Sequence, residues 1–159
     1  MDEKKKTDLS ELLQLVSFKI GEEEFGIEIL KVQEIIKMMF ITKIPNTPEF
    51  IEGIINLRGR IIPVVDLRTR LGLTKQTHTK NTRIVVVELN NHIIGFVVDE
   101  VSEVIRITKD TTEEPPAMIG SINREFVTAI GKLEDRLLIL LDLEKVFSSI
   151  EYEQLKDAV

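Results

Sequence analysis

The sequence predicts a mostly β fold in which two small β-barrels, related by an internal repeat, pack together and are followed by a C-terminal helix. Three observations predict it. β-branched runs with two-residue alternation, broken by short Gly- or Asn-bearing turns, recur along most of the chain. The chain also matches itself: residues 16–36 lie over 85–105 without a gap at a spacing of 69, and residues 50–67 lie over 126–143 at a spacing of 76. Helical periodicity is confined to short pieces, too few to cover the faces of a parallel sheet. A half of about 65 residues buries only about 60% of its unfolded surface and is marginal alone. Closure into a barrel removes exposed strand edges, and packing two halves together buries the rest.

Residues 1–12 are charged and aperiodic and read as a flexible arm. Leu15-Val16-Ser17-Phe18-Lys19-Ile20 alternates, Gly21-Glu22-Glu23 turns, and Phe25-Gly26-Ile27-Glu28-Ile29 alternates again, which is a hairpin. Residues 30–36 suit either a helical turn or a strand. The run Met38-Met39-Phe40-Ile41 reads as a buried strand, and Asn46-Thr47-Pro48 as a turn. Two apolar runs, 54–57 and 61–65, flank Arg58-Gly59-Arg60 and form a second hairpin. Asp66 N-caps a short helix that ends before Gly72, and residues 75–81 form a polar connector. The pattern then recurs with a longer middle around 111–123, and Val146, Phe147, Ile150 and Leu155 stand near helical spacing. The expected divisions are therefore 13–79 for the first barrel, 80–143 for the second and 144–159 for the helix and tail. Exchange of a strand between the barrels is left open by the same pattern.

Of the 159 residues, 43% are hydrophobic and 30% charged, the balance of an ordinary globular protein. No apolar run approaches the ~20 residues of a membrane span, no secretion signal is visible, and the cytoplasm is the expected location. There are no cysteines, so disulfides and thiolate nucleophiles are excluded. The net charge of −6 and scattered basic residues argue against nucleic acid, as do one Tyr and no Trp. His78 in the connector and His92 after Asn90-Asn91 read as solvated, and neither belongs to a metal-spaced cluster. Glu113-Glu114 sit beside Pro115-Pro116 with no means of raising a carboxyl pKa. Neither catalysis nor a metal or other cofactor is expected.

Arg58 is the residue that needs explaining, because a hairpin turn is satisfied by Asn-Gly or Asp-Gly. The repeat supplies an internal control. Copy two keeps the apolar frame but closes with Glu134-Asp135 where copy one has Arg58-Gly59, so the turn does not demand an arginine. Gly53 faces Ala129, small in both copies, and Glu34 and Val32 face Glu103 and Val101.

These residues also carry a resemblance. FGIEILKVQEI (residues 25–35), PNTPEFIEGIINLRGRIIPVVDLR (45–68), IIGFVVDEVSEV (93–104) and DRLLILLDLEKVF (135–147) closely resemble the CheW family of bacterial chemotaxis adaptors, over about residues 14–150. The resemblance implies two SH3-like barrels and no catalysis. It implies a cytoplasmic scaffold, recruited to membrane receptor arrays without inserting into the membrane. That scaffold bridges the cytoplasmic tips of methyl-accepting chemoreceptors to the regulatory domain of the histidine kinase CheA. Position by position, it implies receptor contact at Val32, Glu34, Gly53 and Arg58, and kinase contact at Met118. A CheW-like coupling module of another kinase pathway, in motility or adhesion, is the alternative.

Overall fold

The computed structural model describes residues 11–117 and 124–146. Residues that alternate apolar and polar extend and pair, giving eleven strands among the described residues: β1 (Leu12–Ile20), β2 (Glu23–Glu28), β3 (Val32–Lys37), β4 (Ile51–Leu57), β5 (Arg60–Asp66), β6 (Arg83–Leu89), β7 (His92–Val98), β8 (Glu100–Thr108), β9 (Thr112–Glu113), β10 (Val127–Lys132) and β11 (Leu137–Leu141). A single-turn helix, α1 (Leu67–Arg70), follows β5, and a helix described over Leu143–Val146, α2, follows β11. Asp66 caps α1 as expected, its carboxylate accepting from the Arg68 N–H at 3.1 Å, and Asp142 accepts from Glu144 N–H in the same way. The expected C-terminal helix is described only as α2; the remainder, like residues 1–10, lies outside the described residues.

The strands form two sheets, β3-β6-β7-β5-β4 and β8-β1-β2-β11-β10-β9, the layout of two SH3-like barrels. Each barrel takes its first hairpin from the other half of the chain: β1 and β2 join β8–β11, while β6 and β7 join β3–β5. The sheets thus run across the division expected at 79/80. Under the repeat, β3, β6, β7, β5 and β4 become β8, β1, β2, β11 and β10, and the strand orders coincide. Irregularities repeat too, with a bulge at Glu52 in β4 and at Thr128 in β10.

Exchange puts the largest apolar cluster between the barrels rather than inside either one. Phe18, Phe25 and Ile27 of one sheet pack there with Val85, Val87 and Phe96 of the other, all buried. Each barrel keeps a smaller core of its own, around Ile55, Val64 and Ile84 in one and Leu15, Leu138 and Leu140 in the other. The Arg70 guanidinium also spans the two repeats, 5.6 Å from the Phe50 ring centre and 4.8 Å from that of its repeat partner Phe126. A core shared this way predicts a single cooperative transition. Urea unfolding followed by hydrogen exchange at Ile55 and at Leu138 should give coincident midpoints; two separate midpoints would contradict the shared core.

Two expectations are corrected. Residues 38–41 are not a buried strand but part of a loop, with Phe40 83% exposed and Met39 partly so. The chain there has left the β3 ladder and meets β4 only through the Thr42–Ile54 bridge, so Met39 and Phe40 stay uncovered while Met38 and Ile41 pack partly against the first barrel's core. His78 is not simply solvated: its Nε2 lies 3.3 Å from a Glu52 oxygen.

Candidate partner-binding site

The β4–β5 hairpin closes on the two residues Arg58 and Gly59, with φ of +52° and +87°. Positive φ at both positions is the turn that matches strand twist, and it suits Asn-Gly better than an arginine. The Asn56 side chain braces it by accepting from the Gly59 N–H at 2.8 Å. So held, the Arg58 guanidinium makes two parallel bonds to Glu34 of β3, both 2.7 Å. The hydrogen bond to Arg58 holds the Glu34 carboxyl below its ordinary pKa, and Glu34 raises that of Arg58.

This pair spans the gap that closes the barrel, because β3 and β4 are the two ends of the five-stranded order. Copy two makes an equivalent bridge with a different arginine. Arg136, the repeat partner of Arg60, reaches Glu103 at 3.0 Å, the buried Glu24 at 2.6 Å and Asp135 at 2.9 Å. Both copies therefore latch a β3-type glutamate with an arginine of the hairpin, and only copy one strains its turn to do so.

Val32 is half-buried, pairs with Val87 and packs against the shared core. Gly53 follows the β4 bulge with φ of +151°, and a Cβ there would overlap Thr42 O and the Ile41 side chain. Arg58 and Glu34 thus share one exposed end of the first barrel, Val32 lies inward along β3, and Gly53 is buried beneath the 38–44 loop. Met118 lies outside the described residues.

Sequence reasoning missed Leu30. It sits at the crest of a 3-10 turn (Ile29–Lys31) between β2 and β3 and is 95% exposed. Its repeat partner is Asp99, so the internal control applied to Arg58 could have found it. Beside it lies a cavity of about 210 Å³ floored by Leu13, Leu15, Ile27, Leu140 and Leu143, and rimmed by the Lys31–Glu144 ion pair at 2.9 Å. Leu30 itself does not line the cavity, whose wall also carries Glu28, Thr128 and Asp142.

Across the repeat, Arg68 replaces Glu144 and is buried, its Nε and Nη2 bonding Asp99 at 3.0 and 2.6 Å. Partial burial disfavours the charged form of Asp99, but Arg68, the Gly21 N–H and the nearby His78 outweigh it and leave the carboxyl pKa lowered. A lowered acid contributes stability above its ordinary value, ~3.9, and that contribution is lost as pH falls through the lowered one. The difference in melting temperature between wild type and Arg68→Met should thus be constant from pH 8 to 5 and shrink only below that range. A difference already shrinking at pH 6 would count against it.

Among the described residues no helix is long and apolar enough to cross a membrane, and no group of three or more His, Cys, Asp or Glu is placed to hold a metal. Comparison with known proteins agrees with the geometry. The family model of the CheW-like domain matches residues 14–151. The chain is 41% identical to the chemotaxis protein CheW of Klebsiella aerogenes, over 87% of this chain and 83% of that one. It is 40% identical to CheW of Helicobacter pylori, over 89% and 86%. The crystal structure of the scaffolding protein TtCheW from Thermoanaerobacter tengcongensis superposes with a TM-score of 0.80 at 45% identity, covering 86% of this chain and 92% of that one. A repeated two-barrel fold, the NLRG turn and likeness along nearly the whole chain lead to one conclusion: this protein belongs to the CheW family of chemotaxis scaffolds.

Proposed function

We propose that this protein couples chemoreceptor tips to the regulatory domain of the histidine kinase CheA, in the cytoplasm at membrane receptor arrays and without catalysis of its own. The observation that carries this reading is the pair of exposed departures from the repeat, Leu30 for Asp99 and Arg58 for Glu134, the latter placing the latch arginine on the turn itself. A receptor tip is a helical hairpin, and an apolar helix face suits the cavity beside Leu30. Arg58 and Glu34 form the polar end of the receptor surface. Val32 lies inward from them, and Gly53 contributes by seating the loop that carries Phe40. Met118 supplies an apolar, adaptable kinase contact on a separate surface. Holding two partners at once makes the second contact effectively intramolecular.

Arg58→Ala should weaken receptor-tip binding roughly tenfold or more, with Arg58→Lys recovering part of the loss because it lacks the planar fork. Kinase-domain binding and melting temperature should hold. Calorimetric titration of each partner separately tests this, and unchanged receptor affinity in Arg58→Ala would return Arg58 to a purely structural latch.

A further inference from the structure

Glu52 is a carboxylate where the fold needs none. It occupies the β4 bulge, and the same bulge in β10 carries Thr128. It is only 8% exposed, and burying a carboxylate is costly unless opposite charge faces it. That charge comes from the connector between the two repeats: Lys75 Nζ lies 3.7 Å from one carboxylate oxygen and His78 Nε2 lies 3.3 Å from the other. The oxygen facing His78 accepts no hydrogen bond. Their attraction is therefore one of charge, and it depends on the imidazole being protonated.

The other charged groups around His78 act in both directions: carboxylates favour its protonated form and lysines oppose it. From the loop before β4, Lys43 lines the same depression, as does Lys75 from the connector itself. From the β7–β8 corner, Asp99 feels the His78 charge while Arg68 of α1 grips it. Glu52 is thus the carboxylate in contact with His78, Asp99 acts on it only at longer range, and the lysines supply fixed positive charge nearby.

We propose that His78 and Glu52 form a protonation-dependent tether that fastens the 73–82 connector to the bulge of β4. Protonated His78 holds the connector; the neutral imidazole releases it, leaving only the looser Lys75 contact. A hold that needs the imidazolium is stronger at acid pH and weaker at alkaline pH. The effect reaches the first barrel's surface, because Gly53 follows Glu52 and its backbone lies against Thr42 in the loop that carries Phe40. The inference stands independently of which partners that surface binds.

Hydrogen exchange of the full-length protein between pH 5.5 and 7.5, corrected for intrinsic rates, tests it. The reporters are the amides of Thr79, Asn81 and Thr82, which are bonded within the connector. Their protection should fall roughly twofold to fivefold as pH rises, the range of a partly exposed ion pair. Protection at Ile55 and Ile62 should stay level. Glu52→Gln and His78→Gln should both give low, pH-independent protection, and His78→Lys should keep it high at every pH. Should Glu52→Gln fail to fold, the two His78 variants carry the test. Protection in wild type that does not change with pH would overturn the tether. So would pH dependence that survives His78→Gln, or that survives Glu52→Gln and so belongs to Asp99.

Discussion

Gly53→Ala is expected to destabilise the protein by roughly 3 kcal/mol or more, a loss of about 6–12 °C in melting temperature for a chain of this size. Two costs add. The backbone holds φ at +151°, a conformation an L side chain rarely adopts, and the new Cβ would overlap Thr42 O. That oxygen cannot swing away, because it accepts from the Ile54 N–H at 2.8 Å and Thr42 N–H donates back to Ile54 O at 2.9 Å. The whole 38–44 loop must shift instead, carrying Phe40 with it. Ala129 occupies the equivalent position in copy two, so the glycine answers to this loop and not to the barrel. Thermal denaturation of the variant would show the loss; a melting temperature within 2 °C of wild type would mean the loop gives way freely.

Leu30→Asp is expected to weaken receptor-tip binding roughly tenfold to a hundredfold while leaving stability unchanged. A side chain 95% exposed contributes little to folding, yet burying a leucine against a partner is worth about 1.5–3 kcal/mol. The substitution installs the residue that copy two carries at Asp99, and at a solvent-exposed turn position an aspartate costs little. Kinase-domain binding should be untouched. Affinity for both partners falling together, with folding intact, would show that the two surfaces overlap.

The strands, both hairpin turns and the helix cap were legible because each rests on local chemistry: alternation, positive φ at Gly59, and a carboxylate at Asp66. The repeat was legible too, and it singled out Arg58. What periodicity could not show was which hairpin joins which sheet. Residues 13–20 alternate identically whether they pair with β3 or with β8, and the choice is made by packing Phe18 and Phe25 into a core that both barrels share. Exposure of Met39 and Phe40 was not legible because apolar content alone does not reveal whether a ladder continues beside them. The Arg58–Glu34 latch was half visible: both residues were named, but their pairing depends on closure of the barrel, which brings together residues 24 apart in sequence. Leu30 escaped because a lone leucine inside an apolar motif looks like core until the turn that lifts it is known.

The proposed function requires one small two-barrel protein to hold receptor and kinase at the same time. Its most direct test is a three-component pull-down with a receptor hairpin tip immobilised and the kinase regulatory domain in solution. The kinase domain should be retained only when this protein is present, and Leu30→Asp or Arg58→Ala should sharply reduce that retention without preventing the adaptor–kinase pair from forming. Displacement of this protein from the receptor tip by added kinase domain would contradict the account, because the two partners would then compete for one surface.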